Sequence, residues 1–499
     1  MEILLVNPPV NRLCDVVGNY FPLGLGYLAA LTNQRGFQTK IYNAELDVRS
    51  LPIATNKRRI QNHQLFVKAL QDESHFVWRE FREVLGKYRP KVVGFSCTSA
   101  SIMVCLKMAK DAKRVCGATT VFGGMHPTIL SEETARYSEV DFIVTGEAEE
   151  SFPKFIEALF NEEDPLSIPG VGGMRNGDFI LYPSDPPPWD IGRFPIPDRK
   201  ALLFLDRHRP YLQAVITSRG CPYRCTFCSG NKVHCGVVRF LPIADVVREI
   251  GYLRDRFGVS HILFYDDSLV LNKKRMAELC EEMINRDVGV TWSGFTRADS
   301  VDREILALMK KSGCTGLGIG VESGSDRTLS LIKKGYTRAK ALEGVKLVKE
   351  AGIQVGINII VGFPFEGEKD IRDSISLIEE LGVPTNVNTF VPYPGSELYD
   401  ECVRLGLIDK QGIDWSVVSQ HSPYNAFVHE ISLKTYEKLL KEMVEVADRV
   451  SRVPKVSQTR AYVQRLREIW SQEGENPVRF AATVGKKALR RLKRDAEQQ

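Results

Sequence analysis

The stretch LQAVITSRGCPYRCTFCSG, residues 212–230, runs an apolar, β-branched segment straight into a loop that carries three thiols, Cys221, Cys225 and Cys228. A strand that delivers reactive groups at its carboxyl end is the arrangement of parallel α/β folds, where ligands gather on the loops that follow the strands. Three close thiolates bind three irons of a cubane and leave the fourth iron open, whereas a fully protein-held cluster usually takes four cysteines. Cys235, seven residues on, is the one nearby candidate for a fourth. A zinc site would pair two CxxC-type arms, and no second arm occurs.

Working toward the C-terminus, further apolar runs alternate with helical patterns: HILFYDD (261–267), VTWSGFT (290–296), GLGIGVES (316–323), QVGINIIVGF (354–363) and TNVNTFVPY (385–393). Six strand–helix units in residues 211–405 predict a partial (β/α)6 barrel of the TIM type, since a full eight-unit barrel takes about 250 residues. Polar residues fall at the expected strand ends. They are Asp266 and Asp267, Arg297, Glu322 and Ser323, and the turn Gly362–Phe363–Pro364.

Toward the N-terminus, EILLVN (2–7), TKIYNA (39–44), KVVGFSC (91–97), TTVFGG (119–124) and DFIVTG (141–146) alternate with helix-like segments. Short β-branched runs of this kind predict strands buried on both faces of a doubly wound, Rossmann-like sheet over 1–163. Its strand-end loops carry Pro8, Ser96, Thr98, Ser99, Gly123, Gly124, His126, Gly146 and Glu147, and small residues there let a flat ligand approach the backbone. The Gly-x-Gly of PLGLGYLAAL (22–31) is expected to open a helix packed closely on the sheet. Residues 164–210 hold nine of the chain's 25 prolines and read as an ordered linker; residues 406–499 read as mostly helical.

With 43% hydrophobic and 26% charged residues the chain has the composition of a soluble globular protein. A net charge of +5 is too mild to imply nucleic acid. No apolar stretch reaches the roughly 20 residues of a membrane span, and MEILLVNPPV reads as a first strand rather than a signal peptide. The eleven cysteines are expected to be reduced, in a cytoplasmic setting. The tail Lys486–Arg494 reads as a solvated helix face or as a peripheral contact with an anionic membrane. Trp189, Trp292 and Trp415 are expected in core or interface, and Cys235 and Cys314 as packing residues.

CxxxCxxC with an aromatic residue, Phe227, before its last cysteine resembles the signature of the radical S-adenosylmethionine superfamily. The resemblance implies a [4Fe-4S] cluster on Cys221, Cys225 and Cys228, with S-adenosylmethionine on the open iron and split into a 5′-deoxyadenosyl radical. It also implies that Glu322 meets the ribose, Arg297 the methionine carboxylate, and the turn Gly362 to Pro364 the adenine. Asp266 and Asp267 stand where many relatives have a Gly-Gly-Glu motif. The order NPP, PLGLGYLAA, GGxHPT and GExE ahead of the barrel resembles the cobalamin-binding class, which includes the anaerobic Mg-protoporphyrin ester cyclases and hopanoid methylases. The Asp-x-His-x-x-Gly motif of other cobalamin proteins is absent, so His126 is expected to hydrogen-bond within its loop rather than ligate cobalt. The activity implied is methylation of an unactivated carbon of a small-molecule or lipid-like substrate, with oxidative cyclisation as the alternative. The reducing electron would come from a donor such as flavodoxin or ferredoxin.

Overall fold

Two parallel sheets, each built from the runs read above, meet at their carboxyl edges. The computed structural model describes residues 1–16, 18, 20–46, 55–184, 190–409 and 412–451. These belong to one contact unit, Met1–Asp47 with Ile53–Val450; the other unit, Val48–Pro52 with Ser451–Gln499, lies outside the described residues except for Ser451. The basic tail, Trp189 and Pro186 to Pro188 therefore lie outside them too.

The first sheet holds β1 (Ile3–Asn7), β2 (Thr39–Asn43), β3 (Val92–Ser96), β4 (Thr119–Gly123) and β5 (Phe142–Val144), all parallel, in the order β2-β1-β3-β4-β5. β1 is buried along its whole length, which explains its uninterrupted apolar run. The segment read as a linker begins by extending this sheet: β6 (Val171–Arg175) and β7 (Asp178–Leu181) add an antiparallel hairpin beyond β5. Farther on, Leu203 N donates to Ile41 O on the opposite edge (2.8 Å).

The second sheet starts at β8 (Ala214–Val215). A short ribbon of β9 (Ser218–Arg219) and β10 (Arg239–Phe240) brackets the cysteine loop. The sheet continues through β11 (His261–Phe264), β12 (Thr291–Thr296), β13 (Cys314–Glu322), β14 (Gln354–Val361) and β15 (Thr385–Thr389). The order β15-β14-β13-β12-β11-β8, parallel throughout, is the six-unit partial barrel. An open barrel leaves an unpaired edge. Here the carboxamide of Asn56, from the helix Asn56–Gln71, stands in for a seventh strand: it accepts from Val387 N (2.9 Å) and donates to Thr385 O (2.8 Å).

One apolar cluster runs through both sheets, from Leu5, Leu25 and Phe155 to Val215, Ile262 and Trp292. Trp415 is buried against Tyr393 and Cys314 is buried, while Cys235 is exposed in a left-handed conformation, φ 51°, and is not a packing residue. The C-terminal region is helical only over Leu433–Val450 among the described residues. No described helix is long and apolar enough to cross a membrane.

Candidate active site

The cysteine loop is fixed by backbone contacts. Gly220 takes φ 91°, and a Cβ there would lie 2.1 Å from Val237 O, so no other residue fits the turn into Cys221. Gly220 N donates to Asp267 Oδ2 (3.1 Å), Thr226 N to Ile332 O (3.1 Å) and Cys228 N to Cys225 O (3.0 Å). Cys221 and Cys225 are half-buried and Cys228 is exposed. Although Cys228 as a residue reaches solvent, the protein packed around its sulfur, and then the neighbouring Cys225 and Cys221, raise its thiol; Cys221 is raised by burial and by Asp267 and Cys225. For Cys225 burial also dominates, opposed by Lys334 and Arg297. No three His, Cys, Asp or Glu among the described residues converge on one point as a single ion requires. A cubane takes each thiolate at a different iron and asks for no such convergence. Three thiols on one fixed loop, with Lys334 and Arg297 acting on Cys225, therefore fit a cluster.

Arg297 and Glu322 do flank the triad. The Arg297 fork closes on Asp299, with Nε to Oδ1 at 2.9 Å and Nη2 to Oδ2 at 3.0 Å, and its face lies 3.7 Å over the Tyr223 ring. Glu322 holds φ 71°, and its Oε1 accepts from Lys334 Nζ (3.0 Å). Neither is the bare group that the resemblance implied, and Asp299, Lys334 and Tyr223 join them. Groups of both signs beside the open side of the triad suit the zwitterionic end of S-adenosylmethionine.

The two aspartates separate. Asp266 is buried and accepts from Thr217 N (3.1 and 3.0 Å), Thr217 Oγ1 (2.7 Å) and Ser218 Oγ (2.6 Å), so it ties the end of β11 to the start of the cysteine loop. Asp267 turns to an open cavity. Ser323 is likewise internal, bonded to Ser374 Oγ (3.1 Å). Gly362, φ 95°, and Phe363 donate their N–H groups to the buried Glu366 at 2.7 and 3.1 Å, and Phe227 faces the Phe363 ring at 6.0 Å.

A cavity of ≈ 320 Å³ lies where the two sheets' carboxyl ends face each other. Ser96, Gly123, Gly124, Gly146 and Glu147 line it from the first sheet, and Ser218, Arg219, Tyr265 and Asp267 from the barrel. A Cβ at Gly124, φ 104°, would lie 2.7 Å from Cys97 O, while a Cβ at Gly24 meets nothing within 4 Å, leaving that wall open. Leu23, Gly24 and Leu28 belong to this lining, although the sequence reading gave their helix a packing role alone. Apolar walls with a polar rim fit a flat, cobalamin-sized ligand part. Pro8, Thr98, Ser99 and His126 are not among its lining residues. His126 is buried, its Nδ1 with Ser99 Oγ (3.0 Å) and its ring edge-on to Trp415; burial lowers its pKa to about 4.

Glu147 is bound by the barrel. Its carboxylate meets Arg219 (3.2 Å), Arg239 (3.0 Å) and His234 Nδ1 (2.9 Å), and Arg219 also meets Glu149 (2.6 Å). Burial works against its charge, but His234, Arg239 and Arg219 hold the carboxyl down to about 2. Sequence spacing held no signal for this pairing, because the partners lie 72 to 92 residues apart.

The chain matches the radical SAM superfamily over residues 215–378 and the B12-binding domain over 13–156. It is 29% identical to an uncharacterized methyltransferase of Pyrococcus horikoshii, over 75% of this chain and 77% of that protein. It is 25% identical to the anaerobic magnesium-protoporphyrin IX monomethyl ester cyclase of Rubrivivax gelatinosus, over 75% of this chain but only 65% of the cyclase's length. The radical S-adenosylmethionine methyltransferase TsrM from Kitasatospora setae, solved with cobalamin and a [4Fe-4S] cluster, shares the fold with TM-score 0.61 and 18% identity, over 81% of this chain and 78% of that one.

Proposed function

Because this chain belongs to the radical S-adenosylmethionine enzymes that carry a B12-binding domain, we propose that it methylates an unactivated carbon of a small-molecule or lipid-like substrate. When bound, the cluster with S-adenosylmethionine supplies a hydrogen-atom abstractor, and cobalamin supplies a transferable methyl group. Cys221, Cys225 and Cys228 would hold the cluster. Arg297, Glu322, Lys334 and Asp267 would orient S-adenosylmethionine. The cavity between Gly123 and Tyr265 would hold part of the cobalamin.

The observation that carries this reading is the shared cavity. Asp267 lines it and also fixes Gly220, the residue before Cys221. A ligand seated there is therefore one residue contact from the cluster loop. Leu5, Val121 and Ile216 give the cavity apolar walls, and Tyr265 stands on its barrel side. Electrons would arrive from a small donor protein such as flavodoxin or ferredoxin.

The test is anaerobic reconstitution with iron, sulfide and hydroxocobalamin, followed by turnover of an extract of small molecules with S-adenosylmethionine labelled in its methyl group. Methyl transfer releases S-adenosylhomocysteine together with 5′-deoxyadenosine and leaves label in a product. Deoxyadenosine alone, with an unlabelled product, would favour oxidative cyclisation, the reading that the cyclase relatives support. Zinc at the loop, or no fragmentation of the nucleotide, refutes both.

A further inference from the structure

The inner wall of the barrel carries a directed chain of carboxamides. Along β14 and β15 burial alternates, and Asn358, Asn386 and Asn388 occupy the half-exposed, concave positions. Arg59, reaching in from the helix Asn56–Gln71, donates Nη1 to Asn386 Oδ1 (3.0 Å). A guanidinium has no acceptor, so this bond fixes which way the Asn386 amide faces. Its nitrogen then donates to Asn358 Oδ1 (3.2 Å) and to Asn388 Oδ1 (3.3 Å). Each of the three oxygens thereby accepts one hydrogen bond, and the nitrogens point onward. Asn358 Nδ2 has no hydrogen bond among the described residues, and Asn388 Nδ2 has one long contact, 3.5 Å, to Ile359 O. This side of the lumen therefore offers N–H donors.

The other side is aromatic. Phe295 on β12 is 42% exposed and Tyr265, just after β11, 40%. Phe295 lies on Gly318 of the next strand: a Cβ there would come within 2.5 Å of its ring, so glycine is what lets the ring lie flat. Two interstrand steps, roughly 10 Å, separate Phe295 on β12 from Asn358 on β14. Among the concave positions of β12 to β15 the one carboxylate is Glu322, at the end of β13, and its Oε1 is taken by Lys334 Nζ (3.0 Å).

The geometry points to a substrate with a flat, unsaturated or aromatic body and an oxygen acceptor, a carbonyl or carboxylate, at its far end. The body stacks on Phe295 and Tyr265, and the acceptor takes the N–H groups of Asn358 and Asn388. This rests on the barrel being the reaction chamber of the proposed function. A lumen whose free groups are donors, and whose Glu322 is already paired with Lys334, rejects an ammonium head, which would meet N–H against N–H at Asn358 and Asn388.

The full chain, reconstituted with cluster and cobalamin and saturated with S-adenosylhomocysteine, is dialysed to equilibrium against indole-3-acetate, tryptamine and indole. Indole-3-acetate is expected to bind about tenfold or more tightly than the other two, the margin of a matched acceptor. N358L and N388L should each erase that margin, and N358D should turn the preference toward tryptamine, with S-adenosylhomocysteine affinity unchanged. Equal affinities in the wild type, no retention of any probe, or a loss of S-adenosylhomocysteine binding in N358L would overturn the proposal. The wild-type comparison stands even if one variant fails to fold. Missing cluster or cobalamin absorbance would instead undo the proposed function, so the two failures are distinguishable.

Discussion

At the scale of single residues, the same residue type serves opposite ends. Cys228 and Cys235 are both exposed, yet only Cys228 shares its loop with two further thiols that raise it. C228S should lose most bound iron after anaerobic reconstitution, while C235S keeps about four irons per chain, the complement of one cubane; iron and sulfide analysis reads the difference. Glu366 makes a second case. It is wholly buried behind the Gly362 turn, and burial pushes it up to about 8. A carboxyl that holds its proton more tightly folded than unfolded stabilises fully below its ordinary pKa and loses that contribution as pH rises from about 4.5 to about 8. Wild-type stability should fall across this window, by about 5 kcal/mol at most, and the curve of E366Q should be flatter. Urea melts at pH 5 and pH 8.5 check it. The thiol triad was legible because its spacing is local. Asp266 was not, because its adjacent twin Asp267 has the same sequence context and only the three-dimensional path of Thr217 and Ser218 separates a fastening carboxylate from one that faces the cavity.

At the scale of elements, every parallel strand was legible: in the first sheet burial on both faces leaves short continuous apolar runs, and in the barrel, where burial alternates, the regular strand–helix rhythm marks the strands. The β6–β7 hairpin was lost inside the proline-rich stretch, although its turn was written there: Asn176 and Gly177, φ 53° and 92°, form the two-residue Asn-Gly loop between Arg175 and Asp178. The interdomain latch had no such local signature. Arg219 of β9 is gripped by Glu147 and Glu149 from the loop after β5, two residues before Cys221. Taking the Glu147 charge from beside the buried Arg239 and Arg219, of which Arg219 keeps Glu149, is expected to cost E147Q about 3 kcal/mol. Since the Glu147 carboxyl is held down to about 2, its contribution is present above about 4.5 and lost as pH falls toward 2. Wild-type stability should therefore drop in that acid window, while E147Q, already lacking the charge, drops less. The same variant should release iron faster to a chelator at neutral pH, because the latch anchors the cluster loop. Unchanged iron release would show that the loop's other anchors suffice.

At the scale of the whole molecule, the two sheets share a core: one apolar cluster passes from Leu5 and Phe155 through Leu212 to Ile262 and Trp292. The cavity that both sheets line sits above that shared core. Two consequences follow from this continuity. Unfolding of the described body should be a single cooperative transition, since both sheets bury residues in the same cluster. A ligand of the cavity touches both sheets, so its binding energy should stabilise the whole body rather than one half: at a hundred times its Kd it adds about 2.7 kcal/mol. Differential scanning calorimetry of the cluster-loaded chain should show one transition, and hydroxocobalamin should move all of it upward by a few degrees, roughly as a 2–3 kcal/mol gain implies. Two resolved transitions, with only the earlier one shifted, would mean that the cofactor is held by the first sheet alone and that the barrel's Arg219, Tyr265 and Asp267 border the ligand without binding it.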